Sequence, residues 1–350
     1  MAAEGGSLAD VTREVLGLAA GRRGRARPRT VLVFSDGSSV LSRGALGAEA
    51  VRPVLERKCA VLERATGMRA VPLTAVPTGP AEVVRLLELL RPSYDAVLLV
   101  DIAAPHCFDI QRFAAETLDC PVLHDDQHGT AVMVAAVVNT VAARTGRTPD
   151  GLCTVVAGAG AAGTATARLL HHLGVGELRV VDSRGLLYRG RPGMTAEKAE
   201  LADLTNPERR QGPLAAALRG ADLLLGLSGV PVAADELAGM NPKPIIVPLS
   251  YPDVEVRFED ADALGATYLH ALEHNLSNNL ATPGLLLAAC ESGLWRLSTS
   301  DLAAAVGCLV SLVPDRPDAP PVPQTDPGEL ARAIADAVVA FRAPSGKART

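Results

Sequence analysis

The chain has 350 residues, 48% of them hydrophobic and only 3% aromatic, and a formal net charge of −5 at pH 7. This length allows two domains, each with its own core, and the hydrophobic content excludes a disordered chain. The negative charge argues against a general nucleic-acid binder, and the composition predicts an α/β protein whose core is filled by Val, Leu and Ala.

Six cysteines are scattered along the chain without a Cys-x-x-Cys pair, at positions 59, 107, 120, 153, 290 and 308. This spacing argues against a zinc site and a disulfide framework. No signal peptide is visible, and no apolar run reaches the roughly 20 residues that a membrane-spanning helix needs. We therefore expect a cytoplasmic protein with no membrane or nucleic-acid partner.

The first 127 residues are expected to form a mobile arm followed by a small α/β domain. The arm covers residues 1–29, with a short helix at Leu8–Leu18 and a basic run at Arg22–Arg27. From residue 30 onward, apolar runs predict strands and helical spacing predicts helices. The predicted strands are 30–34, 70–73, 96–100 and 121–123, and the predicted helices are 48–66, 81–90 and 108–118.

Acidic residues follow two of these strands, Asp101 after the third and Asp125 and Asp126 after the fourth. Ligands of open α/β sheets bind at the carboxyl ends of the strands. Asp101 could join Asp126 there around Mg²⁺ or Mn²⁺, which prefer oxygen ligands. The alternative is that Asp125 and Asp126 cap the helix that begins near Gly129, and the spacing alone favours this capping role.

The next part of the chain alternates strands and helices in the manner of a doubly wound, Rossmann-type domain. A buried helix at 130–145 precedes it. The predicted strands are 153–157, 178–181, 221–226 and 244–248, and the predicted helices are 165–173 and 214–218.

A glycine-rich turn, Gly158-Ala159-Gly160-Ala161-Ala162-Gly163, lies between the first strand and helix of this domain. In this context it predicts a dinucleotide site at Gly158, Gly160, Ala161, Ala162 and Gly163. Gly158 permits the tight turn, Gly160 lets the backbone approach the pyrophosphate, and Gly163 lets the helix pack close to the strand. Asp182 ends the next strand and would accept from a ribose hydroxyl, which favours NAD, whereas Arg184 beside Ser183 would suit the 2′-phosphate of NADP. The alternative is a glycine turn that binds nothing.

The C-terminal part is expected to be helical. An apolar helical region at 285–313 is interrupted by a proline-rich stretch at 314–323, and an amphipathic helix follows at 329–341. We therefore predict a mobile arm at 1–29, a substrate domain at 30–127, a nucleotide-binding domain at 128–284 and a helical segment at 285–350.

Several segments in this order resemble the malic enzyme family, over roughly two-thirds of the chain between Ser35 and Gly284. The run from His124 to Thr130 is nearly identical to a signature of that family. Weaker likenesses lie at 101–108, 182–185 and 280–284. The resemblance implies a homodimer that catalyses metal-dependent oxidative decarboxylation with NAD or NADP.

The resemblance also implies roles for individual residues. Lys58 would take the proton of the substrate 2-hydroxyl, with Asp125 beside it. Asp101 and Asp126 would bind Mg²⁺ or Mn²⁺, which would stabilise the enolate left after CO₂ departs. Asn278 would hold the substrate carboxylate. Without the resemblance, Lys58 would be a solvated helix lysine and Asn278 a loop-capping amide.

The chain departs from the family pattern at four places. Val100 replaces the glutamate that precedes the first metal aspartate, and no tyrosine occurs before Tyr94, so the family's catalytic tyrosine is not found. Tyr251 replaces an asparagine, and residues 42–47 alter a glycine-rich turn. The cofactor-site residues and Lys58 match the family pattern. The departures imply weaker metal binding and weaker protonation of the enolate.

We therefore expect an NAD(P)-dependent oxidoreductase that acts on L-malate or a related small 2-hydroxy acid, with or without decarboxylation. One alternative is a catalytically weak homologue that binds nucleotide and regulates or scaffolds a partner. Another is a dehydrogenase with an altered substrate that does not need the metal.

Overall fold

The computed structural model describes residues 28–40, 44–316 and 318–342. The helix predicted at 8–18, the basic run at 22–27 and positions 42 and 43 of the altered turn lie outside these residues. Within them, the strands form two sheets, one of four strands and one of six. The predicted α/β fold class is confirmed.

The four-stranded sheet is parallel throughout, in the order β2-β1-β3-β4. Parallel neighbours need crossover connections, which three helices supply. Every residue of β1 and β3 is buried, as expected for strands covered on both faces. The elements are β1 (Thr30–Ser35), α1 (Ala48–Thr66), β2 (Arg69–Thr74), α2 (Pro80–Leu90), β3 (Ala96–Leu99), α3 (His106–Thr117) and β4 (Val122–His124).

A single π-type helical turn, Asp125–Gly129, follows β4 and leads directly into α4 (Thr130–Arg144). Helix α4 is rich in Ala and Val and buries nearly its whole surface. It therefore belongs to the core and links the two sheets in sequence.

The six-stranded sheet has the order β10-β9-β8-β5-β6-β7, and only β7 runs antiparallel. The strand order reverses beside β5, which precedes the glycine-rich turn. Its elements are β5 (Cys153–Ala157), α5 (Ala161–His172), β6 (Glu177–Asp182), β7 (Gly185–Leu186), α6 (Ala196–Thr205), α7 (Leu214–Leu218), β8 (Leu223–Gly226), α8 (Ala234–Leu237), β9 (Ile245–Pro248), α9 (Phe258–Asp262) and β10 (Thr267–Tyr268).

The C-terminal helices are α10 (Thr282–Ser292), α11 (Thr299–Ser311) and α12 (Pro327–Arg342). Helix α12 packs on α10, α11 and α1, so the end of the described chain closes over the first sheet. The predicted helical region 285–313 is two helices, because Gly293 adopts φ 65 and ends the first of them. No helix in the described part of the chain is long and apolar enough to cross a membrane.

Most predicted elements match the structure within a few residues, and α1 matches at both ends. Helix α5 begins at Ala161, four residues earlier than predicted, because the glycine turn already adopts helical geometry there. The short elements β7, α6, α8, α9 and β10 were not predicted. Except for α6 they have two to five residues, too few for a periodic pattern to be visible.

Candidate active site

The acids that follow β3 and β4 emerge side by side. The two strands are parallel neighbours, with Leu99 opposite His124. Asp101 and Asp125 therefore leave the same edge of the sheet, as expected from their positions in the sequence. Asp101 adopts φ 54, a left-handed conformation that side-chain-bearing residues seldom take and that is often found at functional sites.

Lys58 reaches this edge from helix α1. It continues the buried stripe of Val51, Leu55 and Leu62, and only 9% of its side chain is exposed. The interpretation of Lys58 as a solvated helix lysine is therefore wrong. A lysine on the apolar stripe of a helix is the signal from which this burial could have been predicted.

Three oxygen atoms surround the Lys58 ammonium group. Its Nζ lies 2.6 Å from Asp125 Oδ2 and donates to Asn278 Oδ1 at 2.9 Å and to Asn279 Oδ1 at 2.5 Å. The three partners satisfy the three donors of an ammonium group. The structure thus brings three predicted site residues together and adds Asn279, which sequence reasoning missed.

Asp125 is buried and has two partners. Its Oδ2 pairs with Lys58, and its Oδ1 accepts a hydrogen bond of 2.6 Å from the hydroxyl of Thr282. No side-chain capping hydrogen bond starts the turn at Asp125 or helix α4, so a capping role for the acids is not supported. Thr282 is a second residue that sequence reasoning missed. It begins α10, and nothing in its local sequence points to Asp125.

The remaining two carboxyl groups are strongly perturbed. Burial, followed by the negative charges of Asp126 and Asp125, raises the pKa of Asp101 to about 8. Burial and then the charge of Asp125 raise the pKa of Asp126 to about 7. The Oδ2 atom of Asp101 is buried without a hydrogen-bond partner. This pair of acids is therefore a place where a positive charge would be stabilised.

His124 at the end of β4 and His128 in the following turn do not supply that positive charge. Burial lowers the pKa of both His124 and His128 to about 4, so both rings are neutral near pH 7. His128 contacts the backbone of His124 through its Nδ1 at 3.0 Å, so it packs against the end of β4.

Val100 lies immediately before Asp101 and is only 2% exposed. Among residues 28–40, 44–316 and 318–342, no group of three His, Cys, Asp or Glu side chains is arranged to hold a metal ion. Metal binding by Asp101 and Asp126 therefore stays a prediction.

The glycine-rich turn brings β5 directly into α5. Gly158 adopts φ 125, and a side chain there would approach Leu227 O to 2.5 Å. A side chain at Gly163 would approach Gly158 O to 1.8 Å. Gly160 faces open space, so its backbone is accessible to a ligand. The amides of Ala161, Ala162 and Gly163 at the start of α5 then offer donors to an anion, whereas the Thr164 amide already donates to Gly160 O at 3.0 Å.

A cavity of about 1220 Å³ opens beside this turn. Gly158, Gly160, Asp182, Ser183 and Arg184 line it, whereas Ala161, Ala162 and Gly163 form the start of α5 behind it. The wall facing them includes Ala104, Pro105 and Phe108, which follow Asp101 in the chain. The cavity therefore extends from the second sheet to the segment that follows Asp101 in the first domain.

Asp182 has no free acceptor position. Its Oδ1 accepts from the Arg184 amide and from Arg191 Nη1, both at 2.9 Å. Its Oδ2 accepts from Arg191 Nη2 at 2.5 Å and from Lys198 Nζ at 2.7 Å. Burial alone would raise the pKa of Asp182, but the hydrogen bonds from Arg191 and Lys198 outweigh it and hold the pKa well below its usual range. A ribose hydroxyl would bind Asp182 only by replacing one of these donors.

Comparison with known proteins agrees with this arrangement. The sequence profile of the family described as "Malic enzyme, NAD binding domain" matches residues 127–273. The bifunctional malic/malolactic enzyme of Bacillus subtilis is 35% identical over 81% of this chain and 70% of its own length. An NADP-dependent malic enzyme of Rhizobium meliloti is 34% identical over 84% of this chain, which spans only 39% of that relative.

The solved structures give the same result. The NAD-dependent malic enzyme from Thermotoga maritima superposes with a TM-score of 0.84 at 31% identity, and the match covers 96% of this chain and 91% of that one. The fold is thus shared along nearly the whole length of both chains. The chain belongs to the malic enzyme family, a family of oxidoreductases.

Proposed function

We propose that the protein oxidises L-malate or a closely related 2-hydroxy acid with NAD or NADP as acceptor. The observation that carries the proposal is the buried Lys58, paired with Asp125 and hydrogen-bonded to Asn278 and Asn279. The cavity that opens beside the glycine turn reaches Ala104 and Pro105, which follow Asp101 in the chain. The names of the relatives support the substrate and the acceptor.

In the proposed reaction, the substrate carboxylate binds to the side-chain amides of Asn278 and Asn279. The 2-hydroxyl of the substrate takes the place of one amide oxygen as a hydrogen-bond partner of Lys58. Proton transfer from this hydroxyl requires the neutral amine of Lys58, formed by loss of one ammonium proton to solvent. The amine receives the hydroxyl proton, and Asp125 stabilises the ammonium group that results. Thr282 holds Asp125 in place through its hydrogen bond. Gly158, Gly160 and the start of α5 would hold the dinucleotide, which would supply the acceptor for the hydride from C2.

Asp101 and Asp126 suit a divalent cation, because both carboxyl groups have raised pKa values and Asp101 Oδ2 is unpaired. A bound Mg²⁺ or Mn²⁺ would polarise the 2-oxo group of the product. These ions require about six oxygen ligands, and two carboxylates leave most positions to substrate and water. We propose that the cation binds weakly without substrate, which makes this a degraded metal site.

Replacing Val100 with Glu should tighten Mn²⁺ binding roughly tenfold or more, because it adds an anionic ligand beside Asp101. Titration of the substrate-free protein with Mn²⁺, followed by electron paramagnetic resonance, measures the change. Val100→Gln has the same size without the charge and should leave the affinity near that of the wild type. Tight Mn²⁺ binding by the wild type alone would contradict this account of the site.

The second candidate function is nucleotide binding with little catalytic activity. It is favoured by Val100, and by the absence of a tyrosine before Tyr94 that could protonate the enolate carbon. The division at residues 127 and 284, the homodimer and the cytoplasmic location stay predictions.

A turnover assay separates the two functions. With L-malate and Mn²⁺, we expect reduced dinucleotide to appear faster than pyruvate, because the acid that protonates the enolate is missing and such a loss lowers a rate by about 10²–10⁴-fold. NADP⁺ should be used at least as well as NAD⁺, since the acceptor positions of Asp182 are filled and the exposed Arg184 in the cavity wall would suit a 2′-phosphate. Equal rates of dinucleotide reduction and pyruvate formation would imply another acid. Dinucleotide binding without any turnover would favour the second function.

A further inference from the structure

Glu255 is a buried carboxylate that the proposed reaction does not use. It lies between β9 and α9 and is 1% exposed. Its Oε1 accepts hydrogen bonds of 3.1 Å from the amides of Ser228 and Gly229 and a short one from the hydroxyl of Ser250. Its Oε2 accepts from the Ser250 amide at 3.3 Å. Burying a carboxylate is costly unless such donors compensate for the lost water.

These donors belong to two loops that leave the same edge of the second sheet. Ser228 and Gly229 follow β8, and Ser250 follows β9, its parallel neighbour. The backbone makes a further link, because the Val232 amide donates to Glu255 O at 2.7 Å. Glu255 thus joins both loops at the edge where a doubly wound sheet binds its ligand.

The loop after β8 is part of the wall of the large cavity. Leu227, Ser228, Val230 and Pro231 line it, and Ser228, Val230 and Pro231 are themselves exposed. Leu227 O lies against Gly158, whose tight turn leaves no room for a side chain. The Leu227 amide also donates to Ala157 O at 2.8 Å, which ties the start of this loop to β5. Beyond Leu227, the amides of Ser228 and Gly229 bond to Glu255.

We propose that Glu255 is a positioning residue that holds the segment 227–231 as one wall of the dinucleotide cavity. This inference rests on the proposed function, in that the cavity is taken to bind NAD or NADP. Charge-assisted hydrogen bonds to backbone amides are about twice as strong as neutral ones, which suits a carboxylate for fixing an exposed loop. Glu255 acts through that loop and need not touch the dinucleotide.

The test compares Glu255→Ala and Glu255→Gln with Glu259→Ala, which removes a nearby exposed acid. Glu255→Ala should raise the Kd and the KM for the dinucleotide about tenfold to a hundredfold, since hydrogen bonds to a charged acceptor are the stronger ones. The KM for malate at saturating dinucleotide should stay within about twofold. Glu255→Gln keeps one acceptor oxygen and should give an intermediate value, and Glu259→Ala should match the wild type.

A purely structural role would lower kcat through loss of folded protein and leave the KM for the dinucleotide unchanged, and that result would overturn the inference. If Glu255→Ala does not fold, Ser250→Ala removes one donor, and an unchanged dinucleotide KM in both Ser250→Ala and Glu255→Gln would also overturn it. Calorimetry on the wild type comes first. A wild type that binds neither NAD⁺ nor NADP⁺ would refute the proposed function itself, whereas equal binding by wild type and Glu255→Ala refutes only the role of Glu255.

Discussion

Lys58→Ala is expected to reduce malate oxidation by at least about 10²–10⁴-fold, because the reaction loses the group that receives the hydroxyl proton. The substitution also leaves Asp125 as a buried carboxylate without its cation and removes the hydrogen-bond partner of Asn278 and Asn279. Formation of NADH or NADPH from saturating malate, compared with the Kd for the dinucleotide, measures the effect. We expect the Kd to stay within about threefold, since Lys58 does not line the cavity at the glycine turn.

The matched control is Lys243→Ala, which removes an exposed lysine that precedes β9. It should retain full activity. Lys58→Met keeps an apolar chain of similar length and separates loss of the ammonium group from loss of packing on α1. Should Lys58→Ala and Lys58→Met both oxidise malate at the rate of the wild type, the proposed role of Lys58 in the reaction would be wrong.

Gly160→Val is expected to abolish measurable binding of NAD⁺ and NADP⁺. Gly160 caps the start of α5 in an extended conformation and faces open space, so a valine is accommodated without strain in the protein. Its side chain would instead occupy the volume into which the pyrophosphate must come to reach the α5 amides. Isothermal titration calorimetry of both dinucleotides into wild type and variant measures the loss.

Gly79→Val is a suitable control for this substitution. Gly79 also has an extended backbone, precedes α2 and faces open space, and it does not line the cavity. Its variant should bind the dinucleotide as the wild type does, and thermal unfolding should show both variants folded. Undiminished binding by Gly160→Val would place the dinucleotide somewhere other than this turn.

The elements and motifs whose information lies in a short stretch of chain could be predicted. Helix α1 shows its apolar stripe within 19 residues, and β3 is a short apolar run followed by an acid. The glycine turn needs only its neighbouring strand and helix to be recognisable. The grouping of Lys58 with Asp125 and Asn278 was predicted through the resemblance to a family, because 220 residues separate Lys58 from Asn278 and no local pattern connects them.

By itself, then, the sequence determined the fold class, the dinucleotide turn and the two strand ends that carry the acids, since periodicity and turn chemistry act between near neighbours. Only the tertiary structure decided which partners these residues meet. In the structure Lys58 is buried, and Asn279 and Thr282 join the site. Arg191 and Lys198 bond to Asp182, and Glu255 bonds to two loops. Such contacts depend on where distant segments pack against one another, and a hydrogen bond between them leaves no trace in the local propensity of either segment.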